Sequence, residues 1–165
     1  MKDLLQDEYD PFVSSYEEQP SQGLRINPLK STIQDFMMLN PFQLTPIPWT
    51  KQGFYYGEED RPGKHPFHEA GLYYIQEPSA MAVAEIMDVN PGEKVLDLAA
   101  APGGKTTHLA GKMNHQGLLV ANEIHPKRAR ILSQNVERMG IRNTVVTNES
   151  PERLVKRFPL FFDHV

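Results

Sequence analysis

The chain contains no cysteine, a single tryptophan and no long apolar run. Without thiols, these residues offer no disulfide, no thiolate metal site and no cysteine nucleophile. No uncharged apolar stretch approaches the roughly 20 residues that a membrane-spanning helix requires. The amino terminus carries Asp3, Asp7, Glu8 and Asp10 where a secretory signal would be basic and then apolar, so a cytoplasmic protein is expected. What is present, 39% hydrophobic and 23% charged residues in 165, suits a folded chain of one or two small domains.

The net charge of −4 conceals an asymmetry: residues 1–100 hold 16 acidic and 7 basic side chains, residues 101–165 hold 5 and 10. The basic half is compatible with a polyanionic partner, although a solvated basic surface is the commoner outcome.

Residues 1–18 carry apolar side chains near the helical period, with Pro11 interrupting, and predict two short helical pieces. GLRINPL (23–29) reads as a strand and STIQDFMML (31–39) as a helix capped by Ser31 or Thr32, a small α+β unit. Residues 40–67, rich in Pro and Gly, predict loop with short strands, and LYYIQ (72–76) one more strand. EPSAMAVAEIMDV (77–89) is helix-like, with Met81, Ala84, Ile86 and Met87 on one face.

A regular alternation follows: strand at 94–99, helix at 103–113, strand at 117–123, helix at 125–140, strand at 143–148, helix at 151–158 and a strand beginning at 160–165. Such alternation specifies βαβ units and a parallel, doubly wound α/β sheet. The expected division is residues 1–76 as an α+β extension and 77–165 as a Rossmann-like domain, which breaks off at the start of its fourth strand.

The strongest chemical signal is VLDLAAAPGGKTTHLA (95–110), an apolar strand, a turn of very small residues and a helix starting near Gly103. There the strand's carboxyl end meets the helix's amino end, and unpaired N–H groups face the crevice outside the sheet. Glu123 closes the next strand, where a carboxylate accepts both hydrogen bonds of a ribose diol. A dinucleotide site would want G-x-G-x-x-G, of which only the pair Gly103-Gly104 is present. A Walker loop would end as Gly104-Lys105-Thr106 does, but Ala99 stands where its first glycine belongs, and an acidic strand end repels phosphates. An adenosine carrying a sulfonium and an amino acid tail suits the turn better than either; a tight turn with no ligand is the bland alternative.

The segment from Asp97 to Thr106, with its A-A-P-G-G-K-T, resembles the S-adenosyl-L-methionine motif of the RNA cytosine-5 methyltransferases of the NOL1/NOP2/Sun group. EYDPFVSSY (8–16), GLRINPLK (23–30), PIPWTKQGFYY (46–56) and YIQEPSAM (74–81) are similar to upstream segments of that group, in particular of its bacterial members that act on ribosomal RNA. The resemblance implies a Rossmann-like methyltransferase core preceded by an RNA-holding extension. It assigns Ala99, Ala100, Ala101, Pro102, Gly103, Gly104 and Lys105 to the methionine moiety, Glu123 to the ribose hydroxyls and Arg128 to support of that carboxylate. The family's adenine-contacting Asp falls at Ser150, a weaker acceptor, with Asn148 and Glu149 as neighbours that could substitute. Gln76, Glu77 and Ser79 match a family stretch and read equally well as an ordinary helix cap.

Carbon 5 of cytosine is a poor nucleophile, so the family chemistry uses a cysteine thiolate that adds at carbon 6, and a second cysteine in a D-A-P-C motif. Neither cysteine is among these residues, and methyl transfer by this chain alone is not expected. The alternatives from other classes are a catalytically silent module that holds S-adenosylmethionine or RNA, and a degenerate P-loop protein. His65 and His68 lie three apart, but Pro66 opposes the helix that would bring them to one face, and no metal site is expected. Lys127, Arg128, Arg130, Arg138 and Arg142 could touch phosphates, or simply solvate a helix with Ile131, Leu132 and Val136 inward.

Overall fold

The computed structural model describes residues 1–165. Its first 17 residues form short helices, α1 (Lys2–Leu5) and α2 (Tyr9–Ser14), each followed by a 3-10 turn and none burying a residue. Pro11 lies in the first turn of α2, where its missing N–H has no partner to lose, so it does not break the helix there.

Strands β1 (Gly23–Ile26), β2 (Leu44–Pro46), β3 (Gly53–Tyr56) and β4 (Tyr73–Ile75) form an antiparallel sheet in the order β2-β3-β1-β4. Helix α3 (Ile33–Leu39) connects β1 to β2; of the two cap candidates Thr32 is the one used, accepting the Asp35 amide at 3.1 Å. Side chains of a strand alternate between faces. Leu24 and Ile26 join Phe36, Phe54 and Tyr73 in an apolar cluster, while Arg25 points the opposite way.

Both faces of this sheet are covered. Helix α4 (Pro66–Glu69) is a single turn that Pro66 begins, so the proline starts a helix there. The second face meets α5 (Pro78–Ile86) and α6 (Gly104–Met113). A Cβ on Gly53 would lie 2.6 Å from Met81 Sδ and 2.4 Å from Thr50 Cγ2, which is why a strand position carries glycine.

The second sheet is parallel, β5 (Lys94–Asp97), β6 (Leu118–Asn122) and β7 (Thr144–Thr147) in that order. Helices α5 and α6 cover one face with α7 (Pro126–Arg138), through Ala84, Leu109, Met113, Leu132 and Val136. Helix α8 (Pro151–Arg157) and Phe158 and Phe162 cover the other, over Leu96 and Val120.

The segment RINPLK (25–30) ties the two sheets together. Asn27 Nδ2 donates to the carbonyls of Gly71 (2.8 Å) and Met139 (2.9 Å), and Lys30 Nζ to those of Ala70 (2.6 Å) and Arg138 (2.7 Å). The last carbonyls of a helix lack intrahelical partners, so a lysine at the end of α7 satisfies them and complements its dipole.

Three sequence expectations are corrected. The strand start expected at 160–165 is confined to its end: Leu160 has φ of 50°, and pairing with β5 is a parallel Val95–His164 bridge, with the Leu96 amide donating to the His164 carbonyl at 2.9 Å and the Asp163 amide to the Lys94 carbonyl at 2.8 Å. Phe162 turns onto the sheet face beside Phe158. Ile86 is 84% exposed and Ile131 47% exposed, so neither belongs to the inward face of its helix. No helix is long and apolar enough to cross a membrane.

Candidate functional site

The turn after β5 is built from residues small enough to fold back on the sheet. Ala100 and Ala101 are buried beside Ala121 and Leu132, and the Ala100 amide donates to the Asn122 carbonyl at 2.8 Å. The Ala101–Pro102 peptide is cis. Gly103 has φ of 118°, a conformation that side-chain-bearing residues avoid, and its α-carbon faces Leu132 so closely that a Cβ would sit 3.2 Å from Leu132 Cδ1.

Side chains from α7 hold the turn from behind. Arg128 Nη2 donates to the Ala101 carbonyl at 2.7 Å and Asn135 Nδ2 to the Pro102 carbonyl at 2.8 Å. With the carbonyls engaged there, the amides of Gly104 and Lys105 at the start of α6 have no intrahelical partner. Asp97 accepts the Thr106 hydroxyl at 2.7 Å and fastens strand to helix. Burial raises the Asp97 pKa, an effect partly opposed by that hydrogen bond and by the Lys105 charge.

The turn faces a cleft of about 250 Å³. Ala99, Ala100, Ala101, Pro102, Gly104 and Lys105 line one wall; Tyr74, Gln76, Glu77 and Ala80 line the other. Glu77 caps α5, accepting the amides of Ser79 (3.1 Å) and Ala80 (3.0 Å), and hydrogen bonds from Ser79 lower its pKa. The cap role that the sequence left open is thus occupied, and the cap also forms part of the cleft wall.

Of the expected site residues, Gly103 packs behind the cleft, and Glu123, Arg128 and Ser150 lie away from its lining. Glu123 ends β6 and is 3% exposed; its Oε1 accepts the His125 amide at 3.0 Å and its Oε2 lies 3.5 Å from Arg128 Nη1. Arg128 therefore bridges Glu123 to the Ala101 carbonyl. Ser150 precedes α8; the adjoining Glu149 amide donates to Asn122 Oδ1 at 3.0 Å, and Asn122 Nδ2 donates to the Leu98 carbonyl at 3.2 Å. The loops after β5 and β7 thereby share one side chain, Asn122.

Tyr74, Asp97, Thr106 and Asn135 complete the site without having been among the expected residues. Asp97 and Thr106 lie inside the recognised motif and Tyr74 opens the similar segment 74–81; Asn135 is distant from both, and no local pattern marks it. His65 Nδ1 accepts the Phe67 amide at 3.2 Å, and no group of three or more His, Asp or Glu side chains able to hold a metal ion occurs.

A parallel sheet with an open crevice beside a small-residue turn defines a Rossmann-like α/β domain, and methyltransferases of known structure share its fold. A methyltransferase homologue from Pyrococcus horikoshii superposes with a TM-score of 0.80 at 34% identity, over 87% of this chain and 48% of that one. NSun6 from the same organism shares the fold, with a TM-score of 0.81 at 16% identity, over 94% of this chain and 65% of that one. Residues 1–78 match the N-terminal domain of 16S rRNA methyltransferase RsmF, and residues 84–165 match 16S rRNA methyltransferase RsmB/F. The chain belongs to this RsmB/F family of methyltransferases, in agreement with the NOL1/NOP2/Sun resemblance. Ribosomal RNA small subunit methyltransferase F of Escherichia fergusonii is 36% identical over 95% of the chain, and that of Salmonella newport 37%. The chain spans 35% of the length of each.

Proposed function

We propose that this chain binds S-adenosyl-L-methionine in the cleft between Ala99–Lys105 and Tyr74–Ala80 and serves cytosine-5 methylation of ribosomal RNA in the cytoplasm. Residues 1–76 form the RNA-facing extension, whose last residues reach the cleft, and 77–165 the main donor-binding part. The observation that carries this reading is the pairing of unpartnered helix-start amides at Gly104 and Lys105 with a wall of alanines in one cleft.

The residues fit the donor's amino acid end. A Cβ on Gly104 would come within 3.2 Å of Gln76 Nε2 and 3.6 Å of Tyr74 Cε1, so its absence keeps the cleft open. The amides and Lys105 suit an α-carboxylate, and the alanines admit a backbone-close ligand. Glu123 takes the ribose diol once the half-exposed Arg128 guanidinium swings off its Oε2. Ser150, supported by Asn148 and Glu149, stands at the adenine end.

When bound, the donor supplies a methyl group on an electrophilic sulfonium. This chain's residues hold and orient it; with no cysteine among them, the thiolate addition to cytosine is not theirs. The P-loop alternative loses support at Thr106, which is fully buried with its hydroxyl committed to Asp97 rather than to a phosphate-bound cation.

Calorimetric titration of the chain with S-adenosylmethionine and with ATP tests the reading. Saturable binding of the first and none of the second is expected; ATP binding alone would overturn it. A methylation assay on unmodified small-subunit ribosomal RNA separates a silent binding module from a chain that transfers methyl groups, and no incorporation is expected from these residues alone.

A further inference from the structure

We propose that Arg25 is a positioning residue for the donor's amino acid end, acting from the amino-terminal sheet through the first turn of α6. Resting on the donor-binding reading above, it extends the site to a strand that contributes nothing to the cleft lining.

Strand alternation sends Arg25 away from its own apolar core and under the second unit, where it is completely buried. Its Nε donates to Gln76 Oε1 at 3.1 Å, and its Nη2 to Thr107 Oγ1 at 2.8 Å and to the Gly104 carbonyl at 3.2 Å. These bonds grip both cleft walls at once, Gln76 on one side and Gly104 on the other. Nη1 has no partner.

The charge also lacks a direct ion-pair partner, although the Glu85 carboxylate acts on it from a distance. Arg25 makes no salt bridge; Glu85, the nearby acid, accepts from His108 Nε2 at 3.2 Å instead. The Tyr74 ring, centred 6.0 Å away, offers a cation–π contact. Burial lowers the Arg25 pKa to about 9, which leaves it protonated at neutral pH.

A buried, unpaired cation is costly, and an apolar side chain of similar volume would fill the position without that cost. An anion docking just beyond Gly104 offsets it. The donor's α-carboxylate at the Gly104 and Lys105 amides is such an anion, separated from the guanidinium by one peptide unit.

Two ligands isolate the effect: S-adenosylhomocysteine, which has the amino acid end, and 5′-methylthioadenosine, which lacks it. In calorimetric titrations of the full chain, Arg25→Met is expected to weaken the first about tenfold or more and the second by less than about twofold. Arg25→Lys, which keeps the charge but not the fork of donors, should recover part of the loss. Thr107→Val is nearly isosteric, removes the nearer of the two acceptors of Nη2 and should weaken S-adenosylhomocysteine selectively; it decides the matter if Arg25→Met does not fold. Equal weakening of both ligands in Thr107→Val, or weakening of neither, overturns the positioning role. An unsubstituted chain that binds neither ligand overturns the donor-binding reading, and the proposal with it.

Discussion

Glu123 exposes 3% of its surface yet retains one carboxylate oxygen, Oε2, whose salt-bridge partner is a half-exposed arginine 3.5 Å away. A carboxylate in that position is strongly discriminating, since a charge-assisted hydrogen bond is about twice as strong as a neutral one. Glu123→Gln preserves the acceptor for the His125 amide and removes the charge. It should weaken S-adenosylhomocysteine about tenfold with little change in thermal midpoint; unchanged affinity by calorimetry would remove Glu123 from the site. His108 makes a separate prediction. Burial first, then the Arg25 and Lys112 charges, hold its pKa at about 2 against an ordinary 6.5. It contacts Glu85 as a neutral imidazole, and the folded chain refuses a proton that the unfolded chain accepts below pH 6.5. Stability present at pH 7 is therefore lost as the pH falls from 6.5 towards 2, by up to about 1.4 kcal/mol per pH unit. Urea midpoints at pH 7.5, 6 and 5 should decline accordingly, and His108→Gln, which can still donate to Glu85, should flatten the decline. An equal slope in the variant would show that other groups carry it.

Among elements, the strand β1 and its RINPLK continuation bear more load than their size suggests. Asn27→Ala leaves the buried carbonyls of Gly71 and Met139 without their donor and should destabilise the fold by about 2 kcal/mol, read as a shift in the urea midpoint at constant slope. Gly53→Ala forces a methyl group against Thr50 and Met81 and should cost about 1–3 kcal/mol; a neutral effect would mean that α5 is free to retreat from the sheet. The parallel unit is legible in the sequence because VLDLA, GLLVANE and NTVVT are apolar runs separated by helices with clear periodicity. The turn residues 99–105 are legible because few sequences place so many minimal side chains between a strand and a helix. Arg25 is not: an arginine between Leu24 and Ile26 reads as the solvent position of a half-exposed strand, since alternation says which face a residue takes and nothing of what covers it. The available hint is Gly23 and Gly53, glycines inside strands, which signal a close neighbour on that second face. The segment 160–165 shows the converse, a β-like run in which Phe162 packs over the sheet and only Asp163 and His164 pair with β5.

At the scale of the whole chain, the two sheets share side chains rather than merely touching. Arg25 reaches α6, Asn27 and Lys30 reach the end of α7, and Met81 of α5 fills the space left by Gly53. Trp49, the chain's only tryptophan, belongs to the amino-terminal part and donates its indole N–H to the Pro78 carbonyl at 3.0 Å, so its fluorescence reports on the junction. Shared contacts of this kind make independent unfolding of either part expensive, because each would expose the other's buried polar groups. Thermal unfolding should therefore be a single transition, with Trp49 fluorescence and far-ultraviolet circular dichroism giving the same midpoint. A ligand that binds only the folded state adds about 2.7 kcal/mol at one hundred times its Kd. S-adenosylhomocysteine, bound in the cleft at Ala99–Lys105, should accordingly raise the tryptophan midpoint and the dichroism midpoint by the same amount. Asn27→Ala should lower both together and leave them coincident. Midpoints that separate, with the tryptophan signal blind to the ligand, would show two units folding on their own and would break the link between the amino-terminal sheet and the cleft.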